Sequence, residues 1–431
     1  MTIAIVHEIF FPITNGVLTS SIALGRALQR RGHRVVFIAP GWKAFLDSKV
    51  AGIPVEYVPS IPAGIYRGIR LTWPFSRRVA AMLQRREVDV LHLTAQGTLS
   101  WSCLRAARRL GLPVVSSLHT LIFEREYVRY AGRLLGPFNT DSFIRRLQRL
   151  AWGLVRWFLQ HSDIVTAPSR YACRLIEKNC PGVEPLHLPN CVSLEVFSGS
   201  RDSGRSKTGG TSGILFADES GKVPPAKKTF VYVGRLGKEK SVDVLLEGFF
   251  RAWQKDRQLR LVVVGDGPEA GVYRRQAARS DGAVRFTGRL AHRELLQSGL
   301  LQRARALVTA STTENQPVSV LEAIGLGRPV IVPDVEGISE LVEGNGSLFP
   351  AGDAAALAGE LLRLAGDDEF FEECAARARA LARAGRYAAD SLAERYERIY
   401  LGLELGVGIE GAGPADGVEY GQGRKLHELQ C

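Results

Sequence analysis

Two carboxylates, Glu314 and Glu322, lie in the stretch Ser-Thr-Thr-Glu-Asn-Gln-Pro-Val-Ser-Val-Leu-Glu-Ala. Residues 306–309 have the pattern of a strand and 311–316 of a polar loop. Pro317 suits a first helical position, and 318–326 continue the helix. Glu314 is then expected on a loop at a strand's carboxyl end, and Glu322 about a turn and a half into the helix. A loop carboxylate there can accept hydrogen bonds from sugar hydroxyls. One further in can accept from a ribose, and the helix's first N–H groups can face phosphate oxygens. The plainer alternative is a Glu favouring the helix dipole followed by a solvated helix Glu. Arg235 and Lys240 sit in the segment Gly-Arg-Leu-Gly-Lys-Glu-Lys-Ser at 234–241, after a strand pattern at 229–233 and before a helix at 242. Two cations on such a loop stabilise the charge of a leaving diphosphate; otherwise they form a solvated basic turn.

The elements that must position these residues follow from periodicity. In the first half, apolar runs at 3–6, 35–39, 55–58, 88–93, 114–118, 164–167 and 186–188 alternate with helical patterns such as 18–31 and 101–110. The second half restarts at 229–233 and continues through 259–264, 284–287, 306–309 and 330–332, then ends in helices at 354–365, 368–384 and 387–403. Strands alternating with helices imply parallel sheets covered on both faces. The chain has 431 residues, 45% of them apolar, which suits two α/β domains. The expected layout is an N-terminal Rossmann-like domain at 1–198, a Gly/Ser/Lys-rich linker or insertion at 199–228 and a second Rossmann-like domain at 229–385. A helix at 386–405 crosses back to the first domain, and a loose tail fills 406–431. Two doubly wound domains would face a cleft, with ligands at the carboxyl ends of their strands.

Several segments in order resemble glycosyltransferase family 4, retaining enzymes of GT-B architecture. They are the 234–241 segment, Val-Val-Gly-Asp-Gly-Pro at 263–268, Val-Arg-Phe-Thr-Gly at 284–288, the Glu314/Glu322 pair, Leu-Glu-Ala-Ile-Gly-Leu-Gly-Arg-Pro-Val at 321–330 and Gly-Ile-Ser-Glu-Leu-Val at 337–342. In the first half, Phe11-Pro12 with Asn15-Gly16-Val17, Asp89-Val-Leu-His92, His119-Thr120, Ala167-Pro-Ser169 and Pro189-Asn190 are similar too. The resemblance covers about residues 2–400 and implies the following roles. Arg235 and Lys240 hold the donor's diphosphate, and Glu322 binds ribose. Glu314 contacts the donor sugar with the backbone of Asn315, Gln316, Pro317 and Val318, and the backbone near Arg289 and Leu290 meets the base. Gly16 lets the first loop approach the diphosphate, and His119 faces the donor sugar and acceptor; a buried structural histidine is its plainer alternative. It also implies transfer with retention, by same-face attack in which the leaving phosphate helps deprotonate the acceptor. The sequence has no Asp-x-Asp pair, and Arg235 with Lys240 can replace a metal's charge, so no metal and no cofactor is expected beyond a UDP- or GDP-linked sugar. Two departures stand out: Cys191-Val192-Ser193 replaces the usual Gly-Val-Asp, and Asn-Gln-Pro follows Glu314.

The net charge of +12 suits anionic partners. Six cysteines without a Cys-x-x-Cys pair read as reduced thiols, and the N-terminus lacks the pattern of a signal peptide. The expected location is cytoplasmic, with peripheral contact on the inner face of the cytoplasmic membrane. Basic, aromatic-rich stretches at 66–86 and 125–157 can lie in an anionic interface, Arg on one side and aromatics on the other, or can be solvated faces over an aromatic core. The Phe-Pro-x-x-Asn-Gly-Val start resembles members that glycosylate diacylglycerol or phosphatidylinositol-type lipids. The leading expectation is therefore transfer of a hexose, glucose or mannose, to a membrane lipid. The alternatives are a glycan acceptor in surface polysaccharide synthesis and, from another class, a GT-B sugar-nucleotide 2-epimerase. No nucleic-acid-binding module is seen.

Overall fold

The computed structural model describes residues 1–11, 15–41, 49–63, 70–73, 75–119, 141–193 and 228–405. The expected linker except Lys228, the tail from 406, Pro12, Tyr66, Arg67, Thr120, Arg125, Glu126, Tyr127 and Tyr130 lie outside the described residues. The chain divides into two units. One is Met1–Cys191 together with the chain from Ala389 onward, and the other is Val192–Ala388.

The first unit is built on β1 (Thr2–Val6), α1 (Gly16–Arg30), β2 (Arg34–Gly41), β3 (Lys49–Val50), β4 (Ile53–Pro62), β5 (Arg70–Thr72), α2 (Ser76–Arg85), β6 (Val90–Leu93), α3 (Thr98–Leu110), β7 (Val114–Ser117), α4 (Asp141–Gln160), β8 (Ile164–Ala167), α5 (Arg170–Asn179) and β9 (Leu186–His187). The strand order is β3-β4-β2-β1-β6-β7-β8-β9. All pairings from β4 through β9 are parallel, while β3 and β5 run antiparallel to β4. The central strands are apolar at almost every position because helices cover both faces; every residue of β1 is buried. Asn15 caps α1 by accepting from the Leu18 N–H at 2.9 Å. Gly111, at φ 67°, ends α3 in the left-handed turn that a residue without Cβ adopts freely.

The second unit comprises β10 (Thr229–Val233), a 3₁₀ turn (Lys238–Lys240), α6 (Val242–Lys255), β11 (Arg260–Val264), α7 (Ala270–Ala277), β12 (Val284–Gly288), α8 (His292–Gln297), α9 (Leu300–Arg303), β13 (Ala306–Val308), α10 (Val318–Gly325), β14 (Val330–Pro333), β15 (Gly346–Phe349), α11 (Ala354–Gly366) and α12 (Asp368–Arg383). Its sheet is wholly parallel in the order β12-β11-β10-β13-β14-β15. The order reverses between β10 and β13, and open α/β sheets hold ligands at such a switch point. The unit begins at Val192, whose N–H donates to the Tyr387 carbonyl at 2.9 Å and whose side chain packs among Leu381 and Tyr387.

The last helix, α13 (Ala389–Leu405), belongs to the first unit. Its Leu392, Ala393, Tyr396, Ile399 and Tyr400 enter the core beside α1. Tyr396 and Tyr400 also close a buried polar network. The Tyr400 hydroxyl meets His92 Nδ1 at 2.7 Å, and Ser117 Oγ meets His92 Nε2 at 2.7 Å. Thr166 lies 2.6 Å from Ser117, and the Tyr396 hydroxyl is within 3.3 Å of both. These bonds satisfy buried polar atoms on β6, β7 and β8, and removing one hydroxyl partner costs about 1–3 kcal/mol. The helix expected from 387 starts at Ala389, because Tyr387 and Ala388 are held by the backbone at Val192.

Candidate active site

In the second unit the loops after β10, β11 and β12 are stitched together through their backbones. Gly234 N–H donates to the Val264 carbonyl at 3.0 Å, Leu236 N–H to Asp266 at 3.0 Å, and Gly265 N–H to Gly288 at 2.9 Å. Glycine is required where these loops meet. A Cβ on Gly265, at φ +147°, would lie 1.8 Å from the Gly234 carbonyl oxygen. This fixes the segment that carries Arg235 and Lys240. Tyr232, buried in β10, adds a bond from its hydroxyl to the Arg235 carbonyl at 3.0 Å.

The loop after β13 is tied to the same segment. The Ser311 and Thr313 hydroxyls both donate to the Glu239 carbonyl, at 3.2 and 3.1 Å. Lys240 Nζ consequently donates to Glu314 Oε1, with both side chains largely buried. From the other side the loop after β14 presses on the Glu314 backbone: a Cβ on Gly337 would stand 2.6 Å from the Asn315 carbonyl oxygen. Arg235 lies 3.9 Å from Glu239, one turn along the same segment. The Lys240–Glu314 pairing spans 74 residues of sequence, so local motif spacing does not show it, and the family resemblance gives the two to different parts of a ligand.

Pro317 was expected as the first helical residue. Its ψ of 124° is extended, so it stands one place earlier, at the N-cap of α10. It supplies no side-chain cap, and the first N–H groups of a helix have no carbonyl partner within it. They stand at the end of β13, with Asn315, Gln316 and Val318 nearly buried around them. Glu322 is 4% exposed rather than solvated. Its Oε1 meets Nε2 of His292, a half-exposed residue at the start of α8, at 2.6 Å. His292 was not anticipated, because a contact across 30 residues leaves no mark in local periodicity. Arg289 and Leu290 follow β12 between Gly288 and α8, with Arg289 exposed.

Gly16 and His119 belong to the first unit. Gly16 is the exposed first residue of α1. His119 lies two residues beyond β7 and is partly buried. Burial lowers its imidazole to about 4, a shift partly offset by a hydrogen bond with Asn190. Two further histidines lie nearby, His92 on β6 and His7 just beyond the end of β1. His7 and His92 are both lowered to about 3, first by burial and next by the field of His119. All three are neutral at pH 7, so His119 can accept or donate one hydrogen bond without contributing charge. Glu8, at the end of β1, accepts from the Ser100 N–H at 2.7 Å at the start of α3, and burial raises its carboxyl.

On the basic helix α4, Trp152 fits the second of the two alternatives, an aromatic core under a solvated face: it is 8% exposed, and the following Phe158 is buried, whereas Phe143 is 37% exposed. Trp157 stacks on His161 at a centroid distance of 4.5 Å. The exposed apolar residues on this helix are chiefly leucines.

Comparison with known proteins adds the following. Residues 14–196 match the family model described as Glycosyltransferase Family 4, and 227–367 match that of Glycosyl transferases group 1. The alpha-monoglucosyldiacylglycerol synthase of Streptococcus pneumoniae is 26% identical over 339 residues, covering 77% of this chain and 70% of that protein. The GDP-mannose-dependent alpha-mannosyltransferase of Mycobacterium tuberculosis is 29% identical over 357 residues, covering 81% and 84%. The crystal structure of Anabaena HepE in complex with UDP and glucose superposes with a TM-score of 0.68 at 20% identity, covering 92% of this chain and 98% of that one. The fold is thus the GT-B architecture that the sequence motifs implied.

Proposed function

The chain belongs to glycosyltransferase family 4, and from that premise we propose that it transfers a hexose, glucose or mannose, from a UDP- or GDP-linked donor to a membrane lipid of diacylglycerol or phosphatidylinositol type. The observation that carries the donor half is the Lys240–Glu314 pair at the switch point of the second sheet, beside the N-terminus of α10, whose N-cap residue supplies no side-chain cap. Arg235, Lys240 and the α10 N–H groups receive the diphosphate. Glu314 accepts from sugar hydroxyls, and Glu322, with one oxygen held by His292, offers the other to ribose. The base lies along Arg289 and Leu290, and Gly16 and His119 serve the diphosphate, sugar and acceptor from the first unit. The acceptor oxygen attacks the anomeric carbon on the face the diphosphate leaves. The carbon–phosphate oxygen bond breaks, and the departing phosphate takes the acceptor's proton, so configuration is retained. The two cations supply the charge compensation, and turnover is expected to persist in EDTA. The lipid acceptor is supported by the likeness to the diacylglycerol enzyme, and the enzyme would act as a peripheral protein on the inner face of the cytoplasmic membrane.

The test is a thermal-shift screen of UDP- and GDP-sugars, then incubation of the stabilising donor with extracted membrane lipids and product mass. Glu322→Ala should raise the donor KM at least about tenfold with a smaller change in kcat. An unchanged donor KM removes the ribose assignment. Donor isomerised without acceptor would favour the epimerase reading instead.

A further inference from the structure

The apolar arc of α4 is wider than the fold uses. At about 100° per residue, Ile144, Trp152, Val155, Phe158 and Leu159 make one face, and all are buried. Phe143, Leu147, Leu150 and Leu154, at spacings of four, three and four, make a second stripe along its edge. Leu150 is 72% exposed, Leu154 53% and Phe143 37%. Beyond the stripe comes an arc of exposed arginines, with Arg146 and Arg149 nearest and Arg145 and Arg156 further round. Arg156 is tied to the Asn179 carbonyl at 2.7 Å. No acidic residue occurs from 142 to 160. An apolar stripe about 16 Å long beside a row of guanidinium groups is not what a water-facing helix surface needs.

We propose that this edge of α4 is the surface by which the protein docks on an anionic lipid bilayer, lying in the interface with Leu147, Leu150 and Leu154 among the acyl chains and Arg146 and Arg149 at the headgroup phosphates. The helix lies on the membrane and does not cross it; among the described residues no helix is long and apolar enough to span. Charge selects this occupant. A second copy of α4 would bring arginine against arginine with only Asp141, at its first position, as an acid, whereas anionic headgroups complement the row. Long arginine side chains also reach polar headgroups while their stems stay beside the leucines. The inference rests on the lipid-acceptor reading for its purpose, but vesicle binding needs neither donor nor turnover, so either can fail alone.

The experiment is cosedimentation of the full chain with vesicles of equimolar phosphatidylcholine and phosphatidylglycerol, and with phosphatidylcholine alone, at low and high ionic strength. The comparison surface is Trp73, which with Ile61 and Leu71 is exposed on the hairpin of β4 and β5. Wild type should bind the anionic vesicles and weaken in salt. L150E/L154E should bind at least about tenfold more weakly with unchanged thermal unfolding. R146Q/R149Q should lose about tenfold on anionic vesicles alone, and Trp73→Ser should bind as wild type does. The proposal is overturned if the wild type binds neither vesicle, if L150E/L154E binds normally, or if binding is lost in Trp73→Ser alone. It is equally overturned if sedimentation analysis shows a dimer that L150E/L154E abolishes and that accounts for the pelleting.

Discussion

Lys240 and Glu314 neutralise each other at the point where a diphosphate and a sugar are proposed to meet. A lysine is a point charge on a flexible stem, and fixing it on a carboxylate holds it where the proposed reaction develops the leaving group's charge. The same contact aims Glu314, so in this proposal the two act as one device. Removing either leaves its partner charged and largely buried without its counter-ion, which is costlier than losing both. Lys240→Met and Glu314→Gln should each lower kcat/KM at least about 100-fold. The double variant should be no worse than the worse single one, as for residues that work as a unit. Steady-state kinetics on the four proteins measures this. A double variant whose loss equals the product of the single losses would show that the two act independently and that the pair is incidental.

The elements matter here for what their connections allow. Gly265 has φ +147° and touches the Gly234 carbonyl, so a methyl group there must push the loop bearing Arg235 off the end of β11. Gly282 also has a positive φ, +78°, but nothing lies within 4 Å of where its Cβ would be. Gly282→Ala should therefore cost only backbone strain, about 1 kcal/mol, and spare donor affinity. Gly265→Ala should destabilise the second unit by more than that and weaken donor binding by an order of magnitude or more; calorimetry with UDP- and GDP-sugars separates the two. Equal donor affinity in both variants would mean that this close approach does not position Arg235. The contrast also marks the limit of sequence reading. The Gly-Asp-Gly-Pro turn at 265–268 and the parallel strands of both sheets other than β15 were legible, because turn residues and apolar runs are local. The reason Gly265 must be glycine lies in a carbonyl 31 residues upstream (265 − 234). β15 went unread because it opens with Gly346 and Ser347, poor strand formers, and is a strand through its pairing with β14. On α4, periodicity revealed an apolar helix but not which part of its arc the sheet would take.

At the scale of the whole chain, the first unit is discontinuous. It ends at Cys191 and is completed by α13, which supplies two tyrosines to the network around His92. That unit also gathers His7, His92 and His119 on or just beyond the neighbouring strands β1, β6 and β7, where the field of His119 lowers the other two and Thr94, Ser117 and Asn190 are hydrogen-bonding partners. The sign of the resulting pH dependence follows from linkage. Unfolded, each imidazole titrates near its ordinary value of about 6.5; folded, they wait until about 3, 3 and 4. Above about pH 6.5 neither state binds these protons, and the full stability is present. As pH falls below that, the unfolded chain takes up protons that the folded one refuses. Stability then declines as pH falls toward the folded values, because each histidine's protonation favours the unfolded chain. Glu8 acts oppositely, since burial raises its carboxyl, and it offsets part of the loss at the acid end. The second unit contains no such histidine cluster among its described residues: His292 stands half exposed on Glu322. Urea unfolding followed by segment-resolved amide exchange should therefore show the first unit's midpoint dropping between pH 7 and pH 5 while the second unit's moves much less. His92→Gln, which retains hydrogen-bonding groups but removes one proton site, should reduce the pH slope by about one third. A first-unit midpoint that is the same at both pH values would show that the three imidazoles titrate in the folded protein as they do in the unfolded chain.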